Sequence, residues 1–307
     1  MSHAVRYFKA LSDDTRLRLV HVLSQYELSV NELVSLLETG QSRISRHLKI
    51  LADAGLLVAR RDGLRAYYSA VREGEGLEFL RAVAPFLTAD MNMRADLDMA
   101  EGILEDRARK TRQFFNAVAD HWDTLNREIL GDFDLAGAVE AAVPKPCGVA
   151  VDLGCGTGLV LERLQGRAAQ LIGVDGSSRM LELSRRRLGD EAGVSLRIGE
   201  LDHLPLRDGE ADFACINLVL HHLSDPASAL REIFRVLKSG GTAFISDFDR
   251  HSQEKMRTDY GDRWLGFSRE KLEEMILEAK LVPLSFTRQP VMRQLALNMA
   301  LARRGAA

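Results

Sequence analysis

Val149-Ala150-Val151-Asp152-Leu153 has the character of a buried strand. It runs straight into Gly154-Cys155-Gly156-Thr157-Gly158 and then into the apolar Leu159-Val160-Leu161. A strand that turns through glycines into a helix opens an α/β unit, because glycine tolerates the tight turn and lets backbone N–H groups approach a ligand at the helix N-terminus. The spacing differs from the dinucleotide fingerprint, whose third glycine would fall at Leu159 and leave Gly158 as an extra. Nicotinamide dinucleotides are therefore disfavoured. A second strand, Leu171-Ile172-Gly173-Val174, ends at Asp175, 21 residues after Gly154, where a carboxylate can accept from both ribose hydroxyls. A third, Ser195 to Ile198, leads into Gly199-Glu200-Leu201 and sets an acceptor carboxylate where an adenine amino group can sit. A fourth, Asp212 to Ile216, ends at Asn217, and Lys238-Ser239-Gly240-Gly241 precedes a fifth.

The chain has 307 residues, more than one domain usually holds, and two folding units are expected. Residues 1–95 carry 13 Lys/Arg against 11 Asp/Glu, whereas the remainder carries 28 against 33. The positive excess is concentrated between Thr39 and Arg72, which makes that stretch the candidate polyanion-binding surface. Its pattern is helical, then alternating. Ser29 and Glu32 have capping-box spacing ahead of Leu33, Leu36 and Leu37. After the turn Glu38-Thr39-Gly40, a helix over 41–54 puts Ile44, Leu48 and Leu51 on one face and Gln41, Ser42, Arg43, Ser45, Arg46 and Lys49 elsewhere. Two short strands follow around Arg60-Arg61-Asp62-Gly63, with Arg65 opening the second, which predicts a basic hairpin beside the helix. A helix-turn-helix with such a wing offers base contacts in the major groove and phosphate contacts next to it.

Lys9-Ala10-Leu11-Ser12-Asp13-Asp14-Thr15-Arg16-Leu17-Arg18, together with Gln41-Ser42-Arg43-Ile44-Ser45-Arg46-His47-Leu48 and Ala54-Gly55-Leu56, resembles the ArsR/SmtB family of winged-helix repressors. The resemblance covers about Ala4 to Ser69. It implies a homodimer on double-stranded DNA, with two recognition helices reading an inverted-repeat operator. Metal-sensing members carry a Cys-Val-Cys thiolate pair where this chain has Glu27-Leu28-Ser29-Val30-Asn31-Glu32-Leu33. A hydroxyl and an amide cannot replace soft thiolates, so no metal is expected as the signal. His47, without ligand-type neighbours, reads as a recognition-helix residue.

Residues 96–143 read as a helical linker or lid between a winged-helix DNA-binding and dimerisation domain, 1–95, and the α/β domain, 144–307. The stripe Phe79, Leu80, Val83 and Leu87 is expected at a dimer interface. Phe114, Phe115, Val118 and Trp122 form a second stripe, either core packing or a lid over a ligand.

Asp152 to Gly158 with Asp175, Glu200 and the Lys238-Ser239-Gly240-Gly241 turn resembles the class I S-adenosylmethionine-dependent methyltransferases over about Arg112 to Ala307. The fold class that results is multidomain: an α-rich winged helix-turn-helix plus an α/β, Rossmann-like, seven-stranded sheet. Its last strand, Met292 to Leu301, is expected to run antiparallel. Asp152, Gly154, Cys155, Gly156, Thr157, Asp175, Gly176, Met180, Glu200, Leu201 and Asn217 are the cofactor positions that the resemblance implies, for S-adenosylhomocysteine or S-adenosylmethionine. Met180 either stacks on adenine or packs in the core. His221, His222 and Asp225 follow the fourth strand, where a base for the acceptor or a structural hydrogen-bonding pair would stand.

The segment Asn217-Leu218-Val219-Leu220 lacks the Pro-Pro-aromatic step of amino-methylating DNA enzymes, and Cys155 and Cys215 do not supply converging thiols for arsenic methylation. Cys147, Cys155 and Cys215 are too few for a disulfide framework and suit a reducing, cytoplasmic setting, with no apolar run of membrane-spanning length. Two functions remain. The first is a repressor whose methyltransferase-like domain senses S-adenosylhomocysteine or S-adenosylmethionine, resembling the repressors of methionine-cycle genes, with derepression as the response. The second is an active small-molecule methyltransferase with a regulatory winged helix.

Overall fold

Ser29 and Glu32 close the expected capping box in the computed structural model: the Ser29 hydroxyl accepts from the Glu32 N–H, and the Glu32 carboxylate accepts from the Ser29 N–H at 2.8 Å. The structure describes residues 3–88, 91–189 and 193–305. It divides into two units, Met1–Arg107 and Ala108–Ala307.

In the first unit the order is α1 (His3–Leu11), α2 (Asp14–Leu23), β1 (Leu28–Ser29), α3 (Val30–Leu37), α4 (Gln41–Ala54), β2 (Leu57–Asp62), β3 (Arg65–Ala70) and α5 (Gly74–Leu87), followed by α6 (Met91–Val118). Asp13 caps α2 by accepting from the Arg16 N–H, and Gly55 ends α4 at φ +82°, a left-handed turn that suits glycine. Ile44, Leu48 and Leu51 are fully buried with Leu19, Leu33 and Leu56. The wing is a three-stranded sheet, because β1 pairs with β3 and β3 with β2. A two-residue strand has no periodicity, and the sequence reading missed it. The hairpin is also longer than expected: Arg60, Arg61 and Asp62 all lie in β2, and the turn falls at Gly63 and Leu64.

The segment read as a linker, 96–143, is divided between the units. Asp96, 1% exposed, takes a bidentate bond from Arg18 at 2.7 and 2.6 Å, and Arg107 bonds both carboxylate oxygens of Glu32. These pairs tie the first half of α6 into the winged-helix unit. The stripe expected at a dimer interface packs in large part on its own unit. Leu80 and Leu87 are buried and Phe79 and Val83 pack on the unit's own core, Phe79 stacking on Tyr7 at 4.9 Å between ring centroids. Val5, Phe8, Phe86 and Met91 are the large apolar side chains left exposed near them.

The second unit contains α7 (Trp122–Leu130), α8 (Leu135–Ala142), β4 (Val149–Leu153), α9 (Leu159–Leu164), β5 (Gln170–Asp175), α10 (Ser178–Leu188), β6 (Val194–Ile198) and β7 (Ala211–Asn217). It continues with α11 (Pro226–Val236), β8 (Leu237–Phe248), α12 (Lys255–Asp259), α13 (Arg269–Glu278), β9 (Leu281–Pro290) and β10 (Ala296–Arg304). Its seven-stranded sheet has the order β6-β5-β4-β7-β8-β10-β9, parallel from β6 to β8, with β10 antiparallel to both of its neighbours. The chain steps outward from β4 through β5 to β6 and then returns to β7. That reversal leaves a crevice at the carboxyl ends of β4 and β7, where open α/β sheets hold ligands.

Two sequence expectations shift here. The last strand begins at Ala296 rather than Met292, since residues 292–294 form a tight turn whose Arg293 has φ +56°. Lys238-Ser239-Gly240-Gly241 is continuous with β8, the turn surviving only as a left-handed Gly240. No helix among the described residues is long and apolar enough to cross a membrane.

Candidate functional site

Gly154, Gly156 and Gly158 all have positive φ, +71°, +51° and +85°, so each carries a conformation that L side chains resist. Gly154 also has no room for a side chain: a Cβ there would lie 2.5 Å from a methyl of Val219. Asp175 ends β5 beneath this loop. One of its oxygens accepts from the Gly156 N–H at 2.9 Å and the other from the Ser177 N–H at 2.8 Å. A carboxylate has about four lone-pair positions, so about two remain for ribose hydroxyls. Burial raises the Asp175 carboxyl above its usual range, and the two backbone N–H groups oppose that shift.

Trp122 stands over the loop, its indole nitrogen 3.7 Å from where a Gly156 Cβ would be. Phe115 meets Trp122 edge-on at 5.1 Å, so the aromatic stripe covers this site rather than filling a remote core. Thr157 donates to Asp123 and accepts from Arg187 at 3.0 Å, and Arg187 also bonds Asp123, which pins α7 to α10 across the loop. Asn116 accepts from the Ser177 hydroxyl at 2.7 Å. Asn116, Asp123 and Arg187 escaped the sequence reading because their partners are 61, 34 and 30 residues away.

The other expected cofactor positions divide. Met180 is 1% exposed and the Leu201 side chain is buried in the sheet core, so both side chains pack inside the unit. Cys155 is buried, with its sulfur 2.9 Å from where a Gly173 Cβ would be, so it contributes backbone to the loop. Glu200 is exposed and its carboxylate is engaged by Arg112 of α6, whose methylenes lie alongside Gly176. Asn217 accepts from the Ser246 hydroxyl at 2.8 Å, while its buried Nδ2 is left without an oxygen to donate to.

Asp152 is buried at the end of β4. Burial pushes its carboxyl up to about 7, opposed by the Cys215 thiol donating at 3.3 Å and reinforced by the charge of Asp175. Stability that depends on the protonated form is therefore lost as pH climbs through about 7. A cationic ligand seated here favours the charged form, so its affinity should rise from about pH 6 to about pH 8, with proton release on binding at the lower end. Calorimetry in buffers of different ionisation enthalpy measures that proton. Equal release from Asp152→Asn would remove Asp152 from the site.

Beyond β7, His221 and His222 are buried with ring centroids 3.9 Å apart. His221 Nδ1 lies 2.7 Å from Asp247 at the end of β8, and its Nε2 lies 3.5 Å from Asp262. Burial works against a charged His221, but Asp247 and Asp262 outweigh it and raise its pKa. Burial and then the neighbouring His221 push His222 well below the ordinary imidazole range. Asp225, read with the pair, instead caps α11 by accepting from the Ala227 N–H. A carboxylate closing a strand at this edge is a signal that was present for Asp247; Asp262, in a loop, offers none. A narrow pocket opens on these groups, walled by Trp122, Leu218, Phe248 and Tyr260.

On the winged-helix unit, Gln41, Ser42, Arg43, Ser45, Arg46 and Lys49 are all exposed on α4. His47 is not part of that face: it is 7% exposed and turned toward Asp13 at 3.7 Å. Arg61 and Arg65 are exposed on the wing, whereas Arg60 makes a bidentate bond with Glu27 at 3.0 and 2.8 Å and lies over the Tyr67 ring.

Comparison with known proteins gives two family matches: "Methyltransferase domain" over residues 151–245 and "Bacterial regulatory protein, arsR family" over residues 13–58. A 37.1 kDa transposon protein of Streptomyces fradiae is 35% identical over 49% of this chain and 45% of its own length. A demethylmenaquinone methyltransferase of Corynebacterium kroppenstedtii is 34% identical over 49% of this chain and 65% of its own. One from Thermobifida fusca is 33% identical over 55% of this chain and 72% of its own. The chain thus spans less than two thirds of the length of the first two. Among solved structures, a methyltransferase bound to the Haloferax volcanii Trm112 activator superposes with a TM-score of 0.56 at 20% identity, over 64% of this chain and 98% of that one. The [4+2]-cyclase SpnF gives 0.55 at 19%, over 64% and 95%. Both likenesses concern the fold, which hosts more than one chemistry. With the glycine loop, the sheet order and the helix-turn-helix all accounted for, the chain belongs to the methyltransferase-domain family and carries an arsR-family regulatory domain ahead of it.

Proposed function

We propose that this chain is a DNA-binding regulator whose second unit is a working S-adenosylmethionine-dependent methyltransferase for a small ring-type acceptor. The likeness to the demethylmenaquinone methyltransferases carries this reading, because it favours catalysis over ligand sensing alone. The donor set fits the cofactor: backbone N–H groups of the Gly154–Gly158 loop, the spare lone pairs of Asp175, the buried carboxyl of Asp152 and the orphaned Nδ2 of Asn217. Bound there, S-adenosylmethionine supplies an electrophilic methyl group. Trp122 and Phe115 exclude water above the loop, and holding the reactants in line supplies much of the rate in such a transfer. The winged helix acts as a cytoplasmic homodimer on an inverted repeat, α4 reading bases and Arg61 and Arg65 touching phosphates.

The sensor reading, a repressor released by S-adenosylhomocysteine, is favoured by one observation. An adenine amino group that bonds Glu200 would share the carboxylate with Arg112, and Arg112 is carried on the same helix as Arg107, which bonds Glu32.

One experiment addresses both. Purified chain is titrated with each ligand, then given labelled S-adenosylmethionine with a panel of demethylated naphthoquinols, and tested on DNA fragments that it selects from a random pool. Asp175→Ala should weaken ligand binding roughly tenfold to a hundredfold, since charge-assisted bonds of about 1.5–3 kcal/mol are lost, and leave ligand-free DNA affinity unchanged. Label transfer to an acceptor supports the enzyme. Ligand-dependent release of DNA without transfer supports the sensor, and a variant that responds at wild-type ligand concentrations refutes the site.

A further inference from the structure

The two imidazoles beyond β7 are each oriented by a hydrogen bond on the same ring nitrogen. Asp247 can only accept when ionised, and its Oδ1 is 2.7 Å from His221 Nδ1. His222 Nδ1 donates to the Gly261 carbonyl at 3.2 Å. Both ring hydrogens are thereby held on Nδ1, which leaves a lone pair on each Nε2. A carboxylate or a backbone carbonyl on the far nitrogen is how a metal-ligating histidine is aimed and made a better donor. The backbone is held as well. The His221 N–H donates to Asp247 at 3.2 Å, and the His221 carbonyl accepts from the N–H groups of Arg263 and Trp264 at 2.9 Å each.

Asp262 brings the third donor. Its Oδ1 is 3.5 Å from His221 Nε2, and one ligand atom from each of His221, His222 and Asp262 lies within 4.8 Å of the other two. At 3.5 Å an imidazole and a carboxylate make a poor hydrogen bond. Two ligands on one tetrahedral zinc, with bonds of about 2.0–2.1 Å, stand about 3.3–3.4 Å apart. The separation therefore suits an ion between the two groups better than a proton. Space agrees, because the narrow pocket on these groups has room for about one water molecule, too little for an organic ligand and enough for an ion. Trp122, Leu218 and Phe248 wall it, and Phe115 meets His222 edge-on at 4.8 Å, an apolar shell of the kind that keeps bulk water from a metal. Asp247 and Asp262 carry negative charge into this shell on side chains that are 0% exposed, and a divalent cation offsets it.

We propose that His221, His222 and Asp262 bind one divalent transition-metal ion, zinc being the best fit, with a water in the fourth position. Two imidazoles and a carboxylate are a donor set that zinc takes in tetrahedral geometry, and none of the three cysteines belongs to the cluster. The ion ties the turn after β7 to the loop after α12, two residues from the Val219 side chain that packs on Gly154. It lies in the second unit and is separate from any metal signal at the winged helix, where the thiolates are missing. Spacing in the sequence could not reveal it, since adjacent histidines form no ligand motif and Asp262 matters only once the loop returns.

The test uses the full chain, freed of metal by a chelator and titrated with zinc against a chromogenic indicator. One zinc per chain should bind, and the thermal midpoint of the second unit should rise with zinc concentration. Asp247→Asn removes the acceptor that positions His221 and should weaken zinc by about 10–100-fold, the range for an outer-shell partner. Asp262→Asn and His222→Gln remove ligands and should weaken it further still. Cobalt in place of zinc needs no variant, so it decides the matter even if these substitutions unfold the chain. It should give the strong visible bands of a four-coordinate ion with nitrogen and oxygen ligands, and no thiolate charge-transfer band. Wild-type chain that takes up no zinc, zinc affinity that survives both Asp262→Asn and His222→Gln, or a cobalt spectrum with thiolate bands or with the weak bands of a six-coordinate ion overturns the proposal. None of these readouts involves S-adenosylmethionine, so the inference stands or falls apart from the methyltransferase reading.

Discussion

Gly154→Ala should abolish measurable cofactor binding and destabilise the second unit by about 2–5 kcal/mol, while DNA binding by the first unit persists. Two costs combine. An L residue at the Gly154 φ of +71° pays roughly 1–2 kcal/mol, and the new methyl, 2.5 Å from Val219, adds the roughly 1–3 kcal/mol typical of overpacking. Val219 is branched at Cβ and leads into the fixed His221 backbone, so it cannot swing aside as a lysine tip would. Denaturant unfolding followed by Trp122 and Trp264 fluorescence measures the loss, because both tryptophans belong to the second unit. Adding Val219→Ala separates the two costs: it relieves the contact and not the dihedral strain, so about half of the stability should return. Full recovery would mean that the positive φ costs nothing here, and an unchanged midpoint in the single variant would contradict the packing described for the loop.

The second large effect lies on the DNA face. Arg43→Ala with Arg46→Ala should lower DNA affinity about a hundredfold or more, each side chain carrying about 1–3 kcal/mol if it reads a base. Binding assays across a salt series distinguish what is lost. The slope of log affinity against log salt should fall by about one for each phosphate contact removed, and stay constant for a side chain that reads only bases. Arg60→Ala is the instructive comparison. Its guanidinium is engaged by Glu27 and lies over Tyr67, so the change should loosen the wing and leave the salt slope near wild type. A slope reduced as much by Arg60→Ala as by the α4 pair would show that the wing arginine leaves Glu27 when DNA arrives.

Arg60 illustrates where the sequence ceases to be informative. The exposed face of α4 was legible because a period of 3.6 separates Ile44, Leu48 and Leu51 from Arg43, Arg46 and Lys49 within a single element. Whether an arginine points outward depends instead on what stands opposite it, and Glu27 is 33 residues away in the chain. The same division runs through the second unit. Asp175 was identified by its distance from Gly154, and the reversal of strand order that opens the crevice follows from the glycine loop and the resemblance it carries. Glu200 is legible in the sequence only as a carboxylate after the third strand, and its engagement by Arg112, 88 residues earlier, is not. In the stripe Phe79, Leu80, Val83 and Leu87, Leu80 and Leu87 are buried in their own unit while Phe79 and Val83 are half-buried against its core; a periodic apolar face says that something covers it and not what. Asp247 and Asp262 were missed for the same reason: they matter only through the histidines they flank.

Cys147, Cys155 and Cys215 are all buried, and burial raises every one of their thiols, Cys147 to about 11 and the other two well above the ordinary range. A thiol held that far from ionisation is a poor nucleophile, and oxidants and electrophiles reach it only when the sheet opens. The cysteine count, which at first suggested a reducing compartment, therefore says little about where the chain resides: in the folded state these sulfurs behave as small apolar side chains. They are also spread over the approach to β4, the glycine loop and the middle of β7, the segments that build the crevice. Thiol oxidation is thus closed to the folded unit as a means of control, and oxidative damage at these cysteines would mark molecules that had already lost the site.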